Sequence, residues 1–206
     1  MLEIQIMKKL ITWQGDILKK LKFILVFFYF LFQSSNIFAS ERWVLDKSLS
    51  TIEFELPVLF AKNVKGQFNT IEGFVELDVE KKENNKAIFS VQIDDLEMNY
   101  IKYKDLLLSN IFFDAIKFPL AVIDTKKFSY DNENELKLDA ELTLKGKSEM
   151  VPLVINVTRL AEELVQIQTE MIFSRTAFNI GIDKWQNTTI LKDKVKLQTN
   201  LFLFKE

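Results

Sequence analysis

The 206-residue chain contains neither histidine nor cysteine, and each absence removes a class of chemistry. Without them no Ser-His-Asp or Cys-His nucleophile can be assembled, and a zinc site loses its usual ligands. The remaining serine option is a Ser-x-x-Lys dyad, yet no serine here has a lysine three positions later. No disulfide can form and no cysteine can carry a lipid, so stability rests on burial. Glycine is scarce as well, and Gly66, Gly73, Gly146 and Gly181 lie too far apart to cradle a phosphate.

Charge is unevenly spread. The formal net charge is −2, but residues 1–39 carry five lysines against Glu3 and Asp16, which gives +3 and leaves −5 for the rest. A mildly acidic body is poorly suited to polyanions, whose binding depends on Lys and Arg displacing counterions, so no nucleic-acid partner is expected. Lys19, Lys20 and Lys22 precede an apolar run from Phe23 to Phe32, followed by a polar stretch and Ile37-Phe38-Ala39-Ser40. That order is the one found in a secretory signal peptide, and the run falls short of the roughly 20 residues needed to span a bilayer. A cleavable signal helix over 1–39 is therefore expected, cut after Ala39. The body then spans 40–206, and its expected location is the periplasm.

From Trp43 onward hydrophobicity alternates with a period of two. Leu136, Leu138, Ala140, Leu142 and Leu144 point one way, and Val195, Leu197, Thr199, Leu201 and Leu203 do the same near the end. Ile52, Phe54 and Leu56, then Val75, Leu77 and Val79, then Phe89, Val91 and Ile93, repeat the pattern. Polar tips at 80–86 and 129–135 and a turn at Lys145–Ser148 join neighbouring strands closely enough to require antiparallel pairing. About eight such strands leave exposed edges unless the sheet closes, so the fold class is all-β, a closed antiparallel barrel or a sandwich. One interval departs from this pattern. Between Asn99 and Pro119 apolar residues fall at helical spacing, which predicts a short helix near 102–110 that ends before the proline.

Acidic residues offer little chemistry. Asp131, Glu133 and Glu135 lack the glycine and terminal glutamate of a calcium loop, and the adjacent Asp94 and Asp95 would face opposite sides of a strand. The chain reads as a non-enzyme. Apolar residues are the better candidates: thirteen of the nineteen phenylalanines lie beyond residue 39. Phe54, Phe89, Phe112, Phe113, Phe118, Phe173 and Phe178 fall where a barrel turns side chains inward or across its mouth. Plain core is the bland reading of each one, and alternation alone does not tell a filled barrel from a hollow one.

Five blocks in order carry a resemblance: Trp43–Leu56, Val64–Asp78, Lys104–Pro119, Leu142–Val157 and Ser174–Gly181. Together, with their Lys-Asp, Phe-Phe, aromatic-Pro and Ser-Arg features, they resemble the YceI family of exported lipid-binding proteins. The resemblance implies a lipocalin-like barrel, often dimeric and periplasmic, holding a polyisoprenoid, an isoprenoid quinone or a fatty-acid derivative, with no cofactor beyond that lipid. Transient contact with a membrane or membrane protein also follows from it. Related sequences often place histidines near the positions where Leu56 and Pro57, and Leu106 and Leu107, stand here. The expected ligand-binding set is Phe54, Leu56, Phe89, Val91, Leu107, Leu108, Phe112, Phe113, Phe118, Phe173, Arg175, Phe178 and Trp185, with Leu106 to Phe118 laid across the barrel as wall and lid. Arg175, Lys104, Asp105 and Trp185 are expected to border an opening, an Arg175–Asp105 ion pair being the structural alternative. Burying a methylene is worth roughly 0.8 kcal/mol against about 1 kcal/mol for a neutral hydrogen bond, so the tail sets affinity and the head sets orientation. The rival functions are presentation of a bound quinone to a redox partner and a ligand-free structural role with a filled barrel.

Overall fold

The computed structural model describes residues 40–58, 61–78, 80–130 and 134–206. The expected signal segment lies outside the described residues, as do Val79, Asp131 and Glu133. The alternating segments form eleven strands: β1 (Ser40–Leu45), β2 (Thr51–Val58), β3 (Ala61–Phe68), β4 (Ile71–Asp78), β5 (Lys86–Gln92), β6 (Leu96–Met98), β7 (Leu120–Asp124), β8 (Glu135–Leu144), β9 (Lys147–Ala161), β10 (Leu164–Ser174) and β11 (Lys194–Lys205). All belong to one antiparallel sheet, which closes where β1 pairs with β11.

Eleven strands make only eight staves, because three staves are broken once each. β1 and β2 run end to end along β11, with Leu45 opposite Leu203 and Thr51 opposite Asn200. β4 and β3 run along that stave, and β5 and β6 run along the next. The staves therefore follow chain order around the barrel, the up-and-down arrangement that tight hairpins impose. Closure leaves the sheet without the two long open edges that would otherwise invite pairing with another chain.

The three breaks, at 46–50, 69–70 and 93–95, lie side by side, and such a row of irregularities lets a sheet turn a corner. Polar contacts lock the first break and tie the other two to each other. The Asp46 carboxylate accepts the Ser48 N–H, the Ser48 hydroxyl and the Leu49 N–H at 2.8, 2.6 and 3.1 Å. The Phe202 N–H donates to the Ser50 hydroxyl at 3.0 Å, and the Thr70 hydroxyl donates to Asp95 at 2.6 Å. Asp94 and Asp95 thus sit in a 3-10 turn rather than on the strand faces expected for them.

The inward series in β8 and β11 stand as alternation requires, with Ala140, Leu142 and Leu144 buried in one and Val195, Leu201 and Leu203 in the other. The helix is shorter than its hydrophobic pattern. A 3-10 turn, Ile101–Tyr103, leads into α1 (Lys104–Leu108), which stops far short of Pro119. Ser109 ends it: its backbone turns extended, its N–H donates to the Asp105 and Leu106 carbonyls, and its hydroxyl donates to the Leu106 carbonyl at 2.6 Å. The remaining apolar residues to Phe118 occupy consecutive turns, with Asp114 in the left-handed region at φ 54°.

One close approach depends on glycine. A Cβ at Gly73 would stand 2.6 Å from the Ile88 carbonyl oxygen and would collide with the Phe89 ring that lies over it. Gly73→Ala is therefore expected to destabilise the barrel by about 1–3 kcal/mol through overpacking. A urea midpoint that falls with an unchanged slope checks this; an unshifted midpoint would mean that the Phe89 ring is not held there.

Candidate functional site

One end of the barrel is closed by three connections: α1 with the turns that follow it, the β8–β9 turn, and the 175–193 segment between β10 and β11. Their backbone groups need partners away from water, and two cations supply them. Arg175 is 0 % exposed. Its Nε donates to the Lys192 carbonyl at 2.9 Å, one terminal nitrogen to Ile180 and Gly181 at 2.8 and 3.3 Å, and the other to Trp185 and Leu191, both at 2.7 Å. A guanidinium has five N–H groups, so every donor is used. Burial pushes the Arg175 pKa down while Asp193 opposes that shift, and an arginine keeps its charge through such changes.

Asp193 holds the same segment from outside. It accepts the Ser174 hydroxyl at 2.7 Å and the Thr176 hydroxyl at 2.6 Å, together with the Thr176 N–H at 3.2 Å. Burial works to raise its pKa, but those hydrogen bonds and the Lys194 charge prevail and hold it below the usual carboxylate value.

Lys145 is the second cation. It adopts φ 51° and Gly146 adopts φ 71°, the paired positive angles of a two-residue hairpin turn. The Lys145 ammonium donates to the Asn110 and Asn179 carbonyls at 2.8 and 2.9 Å, tying the helix turns to the 175–193 segment. Burial lowers its pKa, against the pull of Asp114. The Gly181 N–H completes the closure by donating to the Ile111 carbonyl at 2.9 Å.

Behind this closed end the barrel is hollow. A cavity of about 400 Å³ runs along its inside, walled chiefly by apolar side chains. Near the closed end aromatic rings fill the bore: Phe54 and Phe68 have centroids 5.5 Å apart, and Phe113 meets Phe68 edge-on at 6.4 Å. Away from it the lining opens. Leu144, Leu142, Val151 and Phe173 are buried, whereas Leu136, Ile155, Val157 and Val165, further along the same strands, are only half-buried. The mouth therefore lies at the end opposite α1, among Glu41, Tyr130, Asn134 and Arg159. α1 and its turns form a floor, and the expectation of a lid is corrected accordingly.

Of the expected site residues, Phe54, Leu56, Phe89, Val91, Leu107, Phe112, Phe113, Phe173 and Arg175 line this cavity. Four stand behind it. Leu108 packs against the core from outside the lining, and Phe118 lies against Gly146, where a Cβ would meet its ring at 2.5 Å. Phe178 meets Phe173 edge-on at 5.6 Å, and Trp185 meets Phe112 edge-on at 5.7 Å, so both support wall residues from the rear. The expectation for Arg175 also changes: its partners are carbonyl oxygens rather than Asp105, and it has no N–H left for a ligand. Sequence reasoning passed over Trp43, Tyr130 and Arg159, although Val151, Leu153, Ile155, Val157 and Arg159 form one inward period-two series in β9. Two buried polar atoms on the lining, Trp43 Nε1 and Thr199 Oγ1, have no hydrogen-bond partner.

An up-and-down antiparallel barrel with an apolar internal cavity, floored at one end and open at the other, is the architecture of small ligand-holding barrels. The profile of the YceI-like domain matches residues 43–203, and the chain belongs to that family. A search of curated proteins finds no match. Among solved structures, BcnA of Burkholderia cenocepacia is similar with a TM-score of 0.70 and 22% identity, covering 77% of this chain and 98% of its own. A polyisoprenoid-binding domain from Saccharophagus degradans, implicated in plant cell wall breakdown, reaches 0.66 at 13% identity over 80% of this chain and 98% of its own. The YceI protein of Campylobacter jejuni reaches 0.62 at 21% identity, over 71% and 86%. These likenesses establish the fold.

Two outcomes test the floor. Lysine has three donors where arginine has five, so Arg175→Lys leaves two carbonyls unmet. At about 1–3 kcal/mol for each unsatisfied buried group, the expected loss is on the order of 3 kcal/mol, read from thermal or urea unfolding. Asp193 has a folded pKa below its ordinary 3.8, so the stability it contributes is complete above that value and is lost as pH falls through the folded pKa. Asp193→Asn should therefore flatten the decline in unfolding midpoint below about pH 4. An unchanged acid profile would remove Asp193 from the account.

Proposed function

We propose that the chain is a non-enzymatic carrier, exported to the periplasm, that holds a long amphiphilic lipid inside its barrel. The observation that supports this most directly is the apolar cavity of about 400 Å³ within a closed sheet. Pockets for small molecules fall in the range of roughly 300–1,000 Å³, with apolar walls and a few placed polar groups. At about 30 Å³ for a methylene-sized group, the volume accommodates a chain of on the order of a dozen carbons. A filled structural barrel is the weaker reading because the rings that meet at the floor leave the middle lined but not plugged. The description of the Saccharophagus degradans neighbour as a polyisoprenoid-binding domain favours the same ligand class.

The composition of residues 1–39 and membership of a family whose proteins are typically periplasmic support the exported location. Among the described residues no helix is long and apolar enough to cross a membrane.

Native mass spectrometry of protein purified from its own host is expected to show one lipid per barrel. A bulky residue in the wall should block it: Thr169, facing Thr199 midway along the cavity, is half-buried and lies away from the floor. Thr169→Trp should lower retained lipid severalfold while circular dichroism stays unchanged. A wild-type protein that is free of lipid and fails to take up an added long-chain amphiphile would end the carrier reading.

A further inference from the structure

The mouth of the cavity holds donors that the described residues only partly satisfy. Trp43, in β1, lines the cavity and is 4 % exposed, and its indole N–H is buried without a partner. A buried N–H left unpaired is costly, and a group that persists in that state fits an acceptor supplied from elsewhere. Arg159, in β9, lies beside it with its guanidinium carbon 5.9 Å from the Trp43 ring centroid. Its Nε and one terminal nitrogen donate to the Ala161 and Glu162 carbonyls at 3.3 and 2.6 Å, which fixes the guanidinium at the rim. Among the described residues no carboxylate pairs with it, and three of its five N–H groups remain beyond those two bonds. Tyr130 completes the rim with a hydroxyl whose surroundings are partly buried and which feels the Arg159 charge.

The charge count is specific. Lys205 also lies 5.9 Å from the Trp43 ring, but its ammonium is paired with Glu41 at 2.9 Å. Among the described charged groups that line the mouth or touch Trp43, Arg159 and Lys205 stand against Glu41, an excess of one positive charge that matches a singly charged head group. Donors outnumber free acceptors, so a cationic or hydroxyl-only head group is the poorer match. At the floor the Trp185 indole N–H is also buried without a partner, but Trp185 stands behind the lining, and Arg175 spends all five N–H groups on carbonyls.

We infer that Trp43, Tyr130 and Arg159 form a head-group site for a singly charged carboxylate, and that the lipid enters tail first with its acid end at the mouth. The inference rests on the carrier reading and names the ligand class within it: a long-chain carboxylic acid held with its chain toward the Phe54–Phe68–Phe113 floor.

The test compares binding of tetradecanoic acid, its methyl ester and tetradecyl phosphate at neutral pH, by calorimetry or tryptophan fluorescence, to the full chain and to Arg159→Gln, Arg159→Lys and Trp43→Phe. Wild type should prefer the acid to the ester by about tenfold or more, the usual worth of a charge-assisted contact, and should gain nothing from the phosphate's second charge. Arg159→Gln should abolish that preference by weakening acid binding about tenfold more than ester binding, Arg159→Lys should retain most of it, and Trp43→Phe should reduce it. Equal binding of acid and ester by wild type, or a preference untouched in Arg159→Gln, overturns the head-group site while leaving the carrier reading in place. Failure of wild type to bind any of the three amphiphiles overturns both.

Discussion

The hollow barrel depends on how its floor is satisfied. Three connections crossing the end of a barrel bring backbone carbonyls into a place without water, and each unmet one costs energy. Arg175 meets five of them with one side chain, gathering carbonyls from 180, 181, 185, 191 and 192 around a single planar group. Lys145 does the same between the helix turns and the 175–193 segment. Polar groups that are fully occupied in the floor have no effect on the bore above it. The cavity wall can then be almost wholly apolar, and whatever specificity it has must come from the mouth.

A closed sheet alone does not ensure a cavity, since eight staves leave room either for side chains or for one small ligand. Here the taper decides. The rings of Phe54, Phe68 and Phe113 meet near the floor, while the middle of the wall is built chiefly of leucine, isoleucine and valine, with Thr169 opposite Thr199, and the rings of Trp43, Phe128 and Tyr130 stand toward the mouth. The row of breaks at 46–50, 69–70 and 93–95 belongs to the same arrangement, because it bends three neighbouring staves over the aromatic end. Gly66 and Gly73 let the Phe54 and Phe89 rings lie flat on the sheet, where a Cβ would push them further into the bore.

Much of the fold was legible because alternation has only one meaning on a half-buried strand. The series through β8 and β11 could be assigned to the inside from sequence, and tight polar tips required antiparallel neighbours. The breaks were not legible: Ser50, Thr70 and Asp95 act through hydrogen bonds to residues one stave away, which no local pattern reports. For the candidate site the same limit applied. Residues on strands, such as Phe54, Phe89 and Phe173, fell on the wall as alternation implied, but those in turns divided, with Phe112 and Phe113 reaching the lining and others not. Phe118 and Phe178 have the right composition and the wrong backbone, facing Gly146 and Phe173 from behind the lining. Arg175 was recognisable as important, yet the choice between ligand and structure turned on carbonyl positions fixed only by the folded 175–193 segment.

On the carrier reading, the absence of histidine shifts the burden of recognition. A chain of about a dozen methylenes gains roughly 10 kcal/mol gross at ~0.8 kcal/mol each. Association costs about 4–15 kcal/mol in lost freedom, so the tail term is largely consumed. What remains is small enough for exchange, which a carrier needs and a permanent structural lipid does not. In that near balance a single charged contact moves affinity by an order of magnitude, although it is the lesser of the two gross terms. The tail explains why a lipid enters at all, and the few polar groups at the mouth decide which lipid stays.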